Sequence, residues 1–284
     1  MRTRIEHQTF DEERALYHAT QADLTDVTFA GPADGESALK EAHDVTLTRC
    51  AFSLRYPLWH TTDFTLAHCT MDAQTRAAIW YAENGTITNS VLGGIKAVRA
   101  CAHLRFADCT VDSPEFGWKS QDLTLERTRL TAEYPFFDSR DLQLRQVELH
   151  GKYSFQYTEN VTIANSNFDT KDAFWHSKNV TVTDSVLAGE YLGWYAENLT
   201  LIRCKIIGTQ PLCYCENLTL VDCEMIDCDL SFEYSDVTAD VRGRIDSVKN
   251  PKSGRITADA IGEIIRDAPV IPCSAEIVVR QAGN

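Results

Sequence analysis

The sequence predicts an all-β fold, a right-handed parallel β-helix in which a unit of 19 residues recurs about ten times. Each unit but one begins with an Asn or Asp that an apolar residue follows. These starting positions, called anchors, are Asp44, Asp63, Asn84, His103, Asp122, Asp141, Asn160, Asn179, Asn198 and Asn217. After two intervals of 19 and 21 residues, every interval between anchors is 19 residues, so the repeat is not a chance pattern.

Apolar or small residues lie one, three, six and eight places after each anchor. Steps of two are the period of a β-strand, and the step of three indicates a bend. A unit of this length is too short for helical repeats of about 33 residues or more. The consensus of leucine-rich repeats and a six-residue sub-period are both missing. We therefore expect a coil of short strands, each stacked on its equivalent in the next coil, or rung, at about 4.8 Å.

Stacking of rungs explains the anchors and the small residues six places after them. Asn and Asp tolerate the left-handed conformation of a turn, and stacked copies can form a hydrogen-bonded ladder. The second column is predicted to stay small because it packs inside a tight corner; its members are Cys50, Cys69, Ser90, Cys109, Thr128, Val147, Ser166, Ser185, Cys204 and Cys223.

The chain is expected to form one domain over residues 1–284, with rungs at 21–245 between caps at 1–20 and 246–284. Caps are expected because unpaired strand edges at the ends of a coil need covering. The stretches from Phe10 to Ala19 and from Thr257 to Asp267 carry short helix-compatible patterns. Thr257 is a suitable N-cap, and Asp259 falls in the first turn. We therefore predict short helical caps.

Charge and composition exclude some functional classes. The formal net charge of −14 disfavours nucleic acid and acidic membrane surfaces, because both select basic protein surfaces. The first residues hold no apolar stretch that could serve as a signal peptide, so a cytoplasmic location is expected. The ten cysteines are then expected to be reduced.

Five of the cysteines are close together in the sequence, namely Cys204, Cys213, Cys215, Cys223 and Cys228. A zinc site normally uses Cys-x2-Cys pairs, whereas these spacings follow the rung period. We interpret them as small buried residues and expect neither a metal nor a cofactor.

The rungs resemble those of pectate-lyase-like right-handed β-helices. The segments Gly35-Glu36-Ser37-Ala38-Leu39-Lys40-Glu41, Arg55-Tyr56-Pro57-Leu58-Trp59-His60 and Lys249-Asn250-Pro251-Lys252-Ser253-Gly254 resemble an uncharacterised bacterial family, a domain of unknown function. This resemblance covers nearly the whole chain and implies the fold, but it implies no catalytic motif. No adjacent Asp pair is followed by Gly-His, and no Arg-x-Lys is placed to match the motif of pectin enzymes.

Aromatic residues are concentrated in the part of each unit that precedes the anchor. All five tryptophans lie four places before an anchor, at Trp59, Trp80, Trp118, Trp175 and Trp194. Neighbouring residues of a strand point to opposite faces. Small residues two places before the anchor suggest an interior position, so the tryptophans are predicted to lie inside. The residues three places before the anchor are then predicted to face outward, together with a Tyr-rich column seven places before it. The apolar column five places before the anchor would face outward as well, so a bend in the segment and the reverse orientation both stay open.

This predicted outer face supplies the candidate site residues. Expected ligand-binding residues are His60, Tyr81, Tyr134, Tyr153, Tyr191, Tyr195 and Tyr214, because aromatic side chains stack on sugar rings. Lys119, Asp138, Tyr157 and His176 occupy successive rungs and could provide a charge stabiliser, an acid and a base for lyase or hydrolase chemistry.

The sequence leaves two interpretations of this face open. It could bind a carbohydrate-like or other extended ligand, with or without catalysis. The alternative is a non-catalytic scaffold whose aromatic face contacts a protein partner or a second copy, since aromatic residues are also enriched at interfaces.

Overall fold

The computed structural model describes residues 2–31 and 36–281, which form β-strands and turns with no helix among them. The chain divides into two compact units, Met1–Gln143 (unit 1) and Leu144–Asn284 (unit 2). Strand β17 (Arg140–Arg145) contains the boundary. Whether the units form the single predicted domain stays a prediction. Within the described ranges no helix is long and apolar enough to cross a membrane.

The strands of unit 1 are β1 (Thr3–Glu6), β2 (Thr9–Phe10), β3 (Thr20–Thr25), β4 (Thr28–Ala30), β5 (His43–Thr48), β6 (Ala51–Ser53), β7 (Thr62–Ala67), β8 (Thr70–Met71), β9 (Ile79–Trp80), β10 (Glu83–Thr88), β11 (Val91–Leu92), β12 (Val98–Arg99), β13 (Ala102–Ala107), β14 (Thr110–Asp112), β15 (Gln121–Glu126) and β16 (Arg129–Ala132). Those of unit 2 are β18 (Glu148–Lys152), β19 (Glu159–Ala164), β20 (Asn167–Lys171), β21 (Lys178–Thr183), β22 (Val186–Ala188), β23 (Glu197–Ile202), β24 (Lys205–Ile207), β25 (Leu218–Ile226), β26 (Asp236–Lys249), β27 (Ser253–Ile265) and β28 (Glu276–Val279).

Both units are built from parallel rungs, which confirms the predicted parallel β-helix. At nine of the ten anchors a six-residue strand pairs with its equivalent in the next rung, as β7 does with β10 in unit 1 and β21 with β23 in unit 2, and the strand after Asn217 has nine residues. A shorter second strand follows and pairs in the same way. Residues three and eight places after the anchors point inward and are at most 3% exposed, so the hydrophobic core lies inside each coil.

The predicted turn ladder is also confirmed. Asn160, Asn179, Asn198 and Asn217 all have φ between 53° and 58°, in the left-handed region. The side-chain amides of Asn179, Asn198 and Asn217 donate to the side-chain oxygen of the asparagine one rung back, at 3.1, 2.9 and 2.8 Å respectively. The small column six places after the anchors is buried as well, with members at most 5% exposed.

The predicted helical caps are wrong. Thr257 and Asp259 lie within strand β27, which pairs with both β26 and β28. Phe10 ends strand β2, and residues 12–18 form turns that lead into β3. Rungs therefore extend into both predicted caps, because pairing with the neighbouring rung outweighs a local helical pattern. Residues 282–284 of the predicted C-terminal cap lie outside the described part of the chain.

Candidate functional site

The aromatic side of each rung is a series of turns. In the rung that leads to Asn179, Asp172, Phe174 and His176 have φ of 54°, 63° and 53°, so alternate residues are left-handed. Positive φ is uncommon for residues other than glycine, and a run of them interrupts the alternation of a flat strand. The His176 amide donates to the Trp194 carbonyl of the next rung at 3.1 Å, so rung-to-rung backbone bonding continues through the turns.

This geometry corrects the predicted direction of the tryptophans. The side chains that point inward are those five places before the anchor, all 0% exposed: Leu58, Ile79, Val98, Phe136, Phe155 and Phe174. The five tryptophans are half-buried at the surface, and most residues of the next column are exposed. The prediction that the tryptophans lie inside was wrong because it applied strand alternation to a segment that turns at every second residue.

The tryptophans and their equivalents form the indole column, four places before the anchors. In unit 1, Trp59 stacks on Trp80 with centroids 5.1 Å apart. The Arg99 guanidinium then lies between two indoles, 5.1 Å from the Trp80 centroid and 5.3 Å from the Trp118 centroid. In unit 2, Trp175 and Trp194 stack at 5.7 Å and 3°. Stacking and cation–π contacts therefore hold this column in place.

Every indole N–H of the column donates to a backbone carbonyl about one rung away. Trp194 illustrates the bond, with its Nε1 2.8 Å from the Gln210 carbonyl oxygen. The equivalent bonds are Trp59 to Ala77, Trp80 to Lys96, Trp118 to Tyr134 and Trp175 to Tyr191. Phenylalanine has no such donor, which gives a physical reason for tryptophan at this half-buried position.

The outer aromatic column lies three places before the anchors. In unit 1 it contains the stacked pair His60 and Tyr81, with centroids 4.9 Å apart. In unit 2 it contains five successive rings: Tyr157, His176, Tyr195, Tyr214 and Tyr234. The first four of these are separated by 5.1, 4.9 and 4.8 Å with interplanar angles of at most 12°. Most ring faces are thus covered by neighbouring rings, and the ring edges meet solvent.

Tyr234 was missed by sequence reasoning, because a count of 19 residues from Tyr214 leads to Glu233. The Tyr214 amide donates to the Glu233 carbonyl in the same way that the Tyr195 amide donates to Cys213, so Tyr234 is the equivalent of Tyr214. Phe232, two residues before Tyr234, is fully buried, as Phe174 is two residues before His176. The anchor pattern weakens after Asn217, and the column register was therefore shifted by one residue.

The tyrosines seven places before the anchors lie beside the indole column. The Tyr191 ring is 5.4 Å from that of Trp194 at 75°, and the Lys171 ammonium is 5.1 Å from the Tyr191 centroid. Tyr134 is 36% exposed and Tyr153 is partly exposed. The predicted ligand-binding residues therefore all reach the surface, while their role in binding stays a prediction.

The four predicted catalytic residues form one contact in each unit. In unit 1, the Lys119 ammonium is 3.9 Å from the Asp138 carboxylate, and both side chains are exposed. In unit 2, Tyr157 and His176 are stacked face to face at 10°. Stacked rings do not pass a proton from one to the other. This contact therefore orders the two rings, and their polar atoms do not point at each other. Catalysis by the set of four stays a prediction.

Asp172 is a functional candidate that sequence reasoning did not select. It is 7% exposed, and within the described ranges its carboxylate has no hydrogen bond or ion pair. Burial raises the pKa of Asp172, Lys171 lowers it and Glu190 raises it further. It lies in the column seven places before the anchors, between Tyr153 and Tyr191. A carboxylate between tyrosines in a stacked column is the signal that could have found it.

The cysteines are core residues, as expected. All ten are free, and nine of them are buried. Burial raises the pKa of the Cys101 thiol to about 12, so this group is protonated at neutral pH. In the part of the chain that the structure describes, no group of three or more His, Cys, Asp or Glu side chains is arranged to hold a metal ion.

Comparison with known proteins identifies a family and a shared fold. The profile of the family "Protein of unknown function (DUF3737)" matches residues 3–278. No curated protein sequence matches the chain significantly. Among crystal structures, the chain is similar to the A-module of the mannuronan C-5 epimerase AlgE6 of Azotobacter vinelandii, with a TM-score of 0.48, 12% identity and coverage of 99% of this chain and 89% of that one.

Two further crystal structures are similar at the same level. The surface adhesin PfbA of Streptococcus pneumoniae gives a TM-score of 0.45 at 9% identity, over 82% of this chain and 83% of that one. Tailspike protein 3 of bacteriophage CBA120 gives a TM-score of 0.44 at 11% identity, over 89% of this chain and 53% of that one. Sequence identities this low show a similarity of fold alone.

Proposed function

We propose that this protein, which belongs to the DUF3737 family of unknown function, binds an extended carbohydrate-like ligand along its outer aromatic column. The observation that carries the proposal is the run of five successive aromatic rings in unit 2, from Tyr157 to Tyr234, at centroid spacings of 4.8 to 5.7 Å. A polymer that repeats one sugar ring at a time can make the same contact in each rung.

The column is suited to binding because its side chains are already ordered. His176 is held between the rings of Tyr157 and Tyr195 at 5.1 and 4.9 Å, so little rotamer freedom remains to be lost when a ligand arrives. Tyrosine hydroxyls both donate and accept hydrogen bonds, and imidazole nitrogens do the same according to tautomer. The exposed ring edges therefore present a regular row of polar atoms above the half-buried indoles.

Binding to a panel of soluble neutral and acidic polysaccharides, measured by affinity electrophoresis, tests the proposal. Tyr195→Ala and His176→Ala should each weaken binding roughly tenfold, because each removes one member of the row and loosens its neighbours. The matched control is His150→Ala, since His150 is an exposed histidine of unit 2 on strand β18, away from this column. Absence of binding across the panel, or an equal loss in the control, would contradict the proposal.

A second copy of the chain is the alternative occupant of the column. Tyrosine and tryptophan are enriched at protein interfaces, and Trp175 and Trp194 are half-buried directly beside the exposed rings. Size-exclusion chromatography with light scattering decides between the two. A dimer that Tyr195→Ala converts to monomer favours the scaffold, whereas a monomer that binds polysaccharide favours the ligand.

Catalysis on the bound polymer is a narrower proposal. The support for it is the exposed ion pair of Lys119 and Asp138 in unit 1, a cation and a carboxylate within 3.9 Å. Cleavage of a uronate polymer by elimination would produce an unsaturated sugar that absorbs ultraviolet light, and Lys119→Ala should abolish it. A lack of such absorbance with every uronate polymer would exclude this chemistry. The cytoplasmic location expected from the sequence is likewise a proposal.

A further inference from the structure

The outer aromatic column of unit 1 has a gap at Ala100. His60 and Tyr81 stack at 4.9 Å and 14°, and the next two rungs contribute Ala100 and Lys119 in place of rings. The rungs of Tyr81, Ala100 and Lys119 are in direct register, because the Tyr81 amide donates to the Arg99 carbonyl and the Ala100 amide donates to the Trp118 carbonyl. The stacking sequence thus stops at Tyr81.

One face of the Tyr81 ring is consequently open. Within the described ranges its ring contacts are with His60, Trp59 and Trp80, which belong to its own rung or the preceding one. The face directed toward the Ala100 rung carries no ring, and Tyr81 is 44% exposed. Two rung steps of about 4.8 Å separate the levels of Tyr81 and Lys119, which leaves space for one ring where the column lacks its own.

Within the described part of the chain, a cation that lacks a hydrogen-bond or ion-pair partner borders this gap. Arg99 is in the same rung as Ala100, and its guanidinium is fixed between Trp80 and Trp118. Over residues 2–31 and 36–281, its N–H groups make no hydrogen bond or ion pair with the protein. Arg127, by contrast, is paired with the Asp108 carboxylate at 2.7 Å. A guanidinium held in place with free donors is suited to bind a carboxylate in bidentate geometry.

A second cation lies on the far side of the gap. The Lys119 side chain is 52% exposed, and its ammonium is 3.9 Å from the Asp138 carboxylate, a distance that leaves donors available. Lys96 and Glu115, seven places before the anchors of these two rungs, are paired with each other at 3.7 Å. The charges around Ala100 therefore favour an anion.

We infer that the gap at Ala100 is a subsite for a carboxylated sugar ring, a uronate residue of the extended ligand. The sugar ring stacks on the open face of Tyr81 in the place of the missing ring. Its carboxylate accepts hydrogen bonds from Arg99, and Lys119 adds a second positive charge. This inference rests on the proposed function and specifies its ligand as acidic.

Calorimetric titration of the full chain with an oligouronide and with a neutral oligosaccharide of equal length tests the inference. The native protein should bind the uronide more tightly. Arg99→Gln should weaken uronide binding roughly tenfold or more, through loss of a charge-assisted bidentate contact, and should reduce the preference for the uronide over the neutral oligosaccharide. Arg105→Gln is the matched control, because Arg105 is exposed in the same rung on strand β13. This variant should bind both ligands as the native protein does.

Ala100→Tyr keeps Arg99 and extends the ring stack into the gap, so it tests the site even if Arg99→Gln fails to fold. It should abolish the preference for the uronide. Equal binding of both oligosaccharides to the native protein, or an undiminished preference in Ala100→Tyr, overturns the subsite and leaves the proposed function standing. Binding of neither oligosaccharide overturns both.

Discussion

The stack of Tyr157, His176 and Tyr195 should contribute measurably to stability. His176 has a ring on each face, at 5.1 Å and 10° on one side and at 4.9 Å and 8° on the other. One aromatic contact of this kind contributes about 0.5–1.5 kcal/mol beyond its buried area. Removing both contacts in His176→Ala should therefore lower the free energy of unfolding by roughly 1–3 kcal/mol, toward the lower end because the rings are exposed.

A double-mutant cycle isolates the contact. Urea unfolding of His176→Ala, Tyr195→Ala and the double variant should give a coupling of about 0.5–1.5 kcal/mol. The control cycle pairs His176→Ala with Lys205→Ala, an exposed residue of strand β24 whose ammonium contacts Glu224 at 3.5 Å. That pair should be additive within about 0.5 kcal/mol. If the His176–Tyr195 cycle is equally additive, the rings do not stabilise one another and the ordered column is refuted.

Three further substitutions follow from the rungs, each measured by the free energy of unfolding. Phe174→Ala should cost about 3–5 kcal/mol, because this ring is 0% exposed and packs 5.0 Å from Phe155; a loss below about 1 kcal/mol would contradict its place in the core. Asn198→Asp removes the amide donor to Asn179 and should cost about 0.5–1.5 kcal/mol; no change would show that the ladder adds nothing. Asp172→Asn should stabilise the protein at pH 8 and progressively less toward pH 4. Burial raises the folded-state pKa of Asp172, so ionisation above the unfolded pKa of about 3.9 penalises the native state. An equal effect of this substitution on the free energy of unfolding at both pH values would contradict this.

The periodic part of the fold could be predicted from the sequence because stacking repeats one local environment. Asn160 and Asn198 indicated both a turn and a ladder, and the buried positions after each anchor followed from strand alternation. The ends could not be predicted in this way. Thr257 begins a stretch compatible with a helix, and only the pairing of β27 with two neighbouring strands decides that it is extended.

The residues of the candidate site could be predicted from the sequence, but the directions of their side chains could not. Phe174, Trp175 and His176 are consecutive, and strand alternation would place the first and third on one face. Left-handed φ at Phe174 and His176 turns the first ring inward while the other two reach the surface. Such conformations at non-glycine residues leave no clear signal in the sequence. Asp172 was overlooked because its burial cannot be read from composition.

A crystal structure of the protein with a bound acidic oligosaccharide tests the central claim most directly. We expect sugar rings along the outer aromatic column of unit 2, one ring per rung beside His176 and Tyr195, and in unit 1 a carboxylate bound at Arg99. Oligosaccharide density on the paired strands β21 and β23, away from the rings, would contradict it.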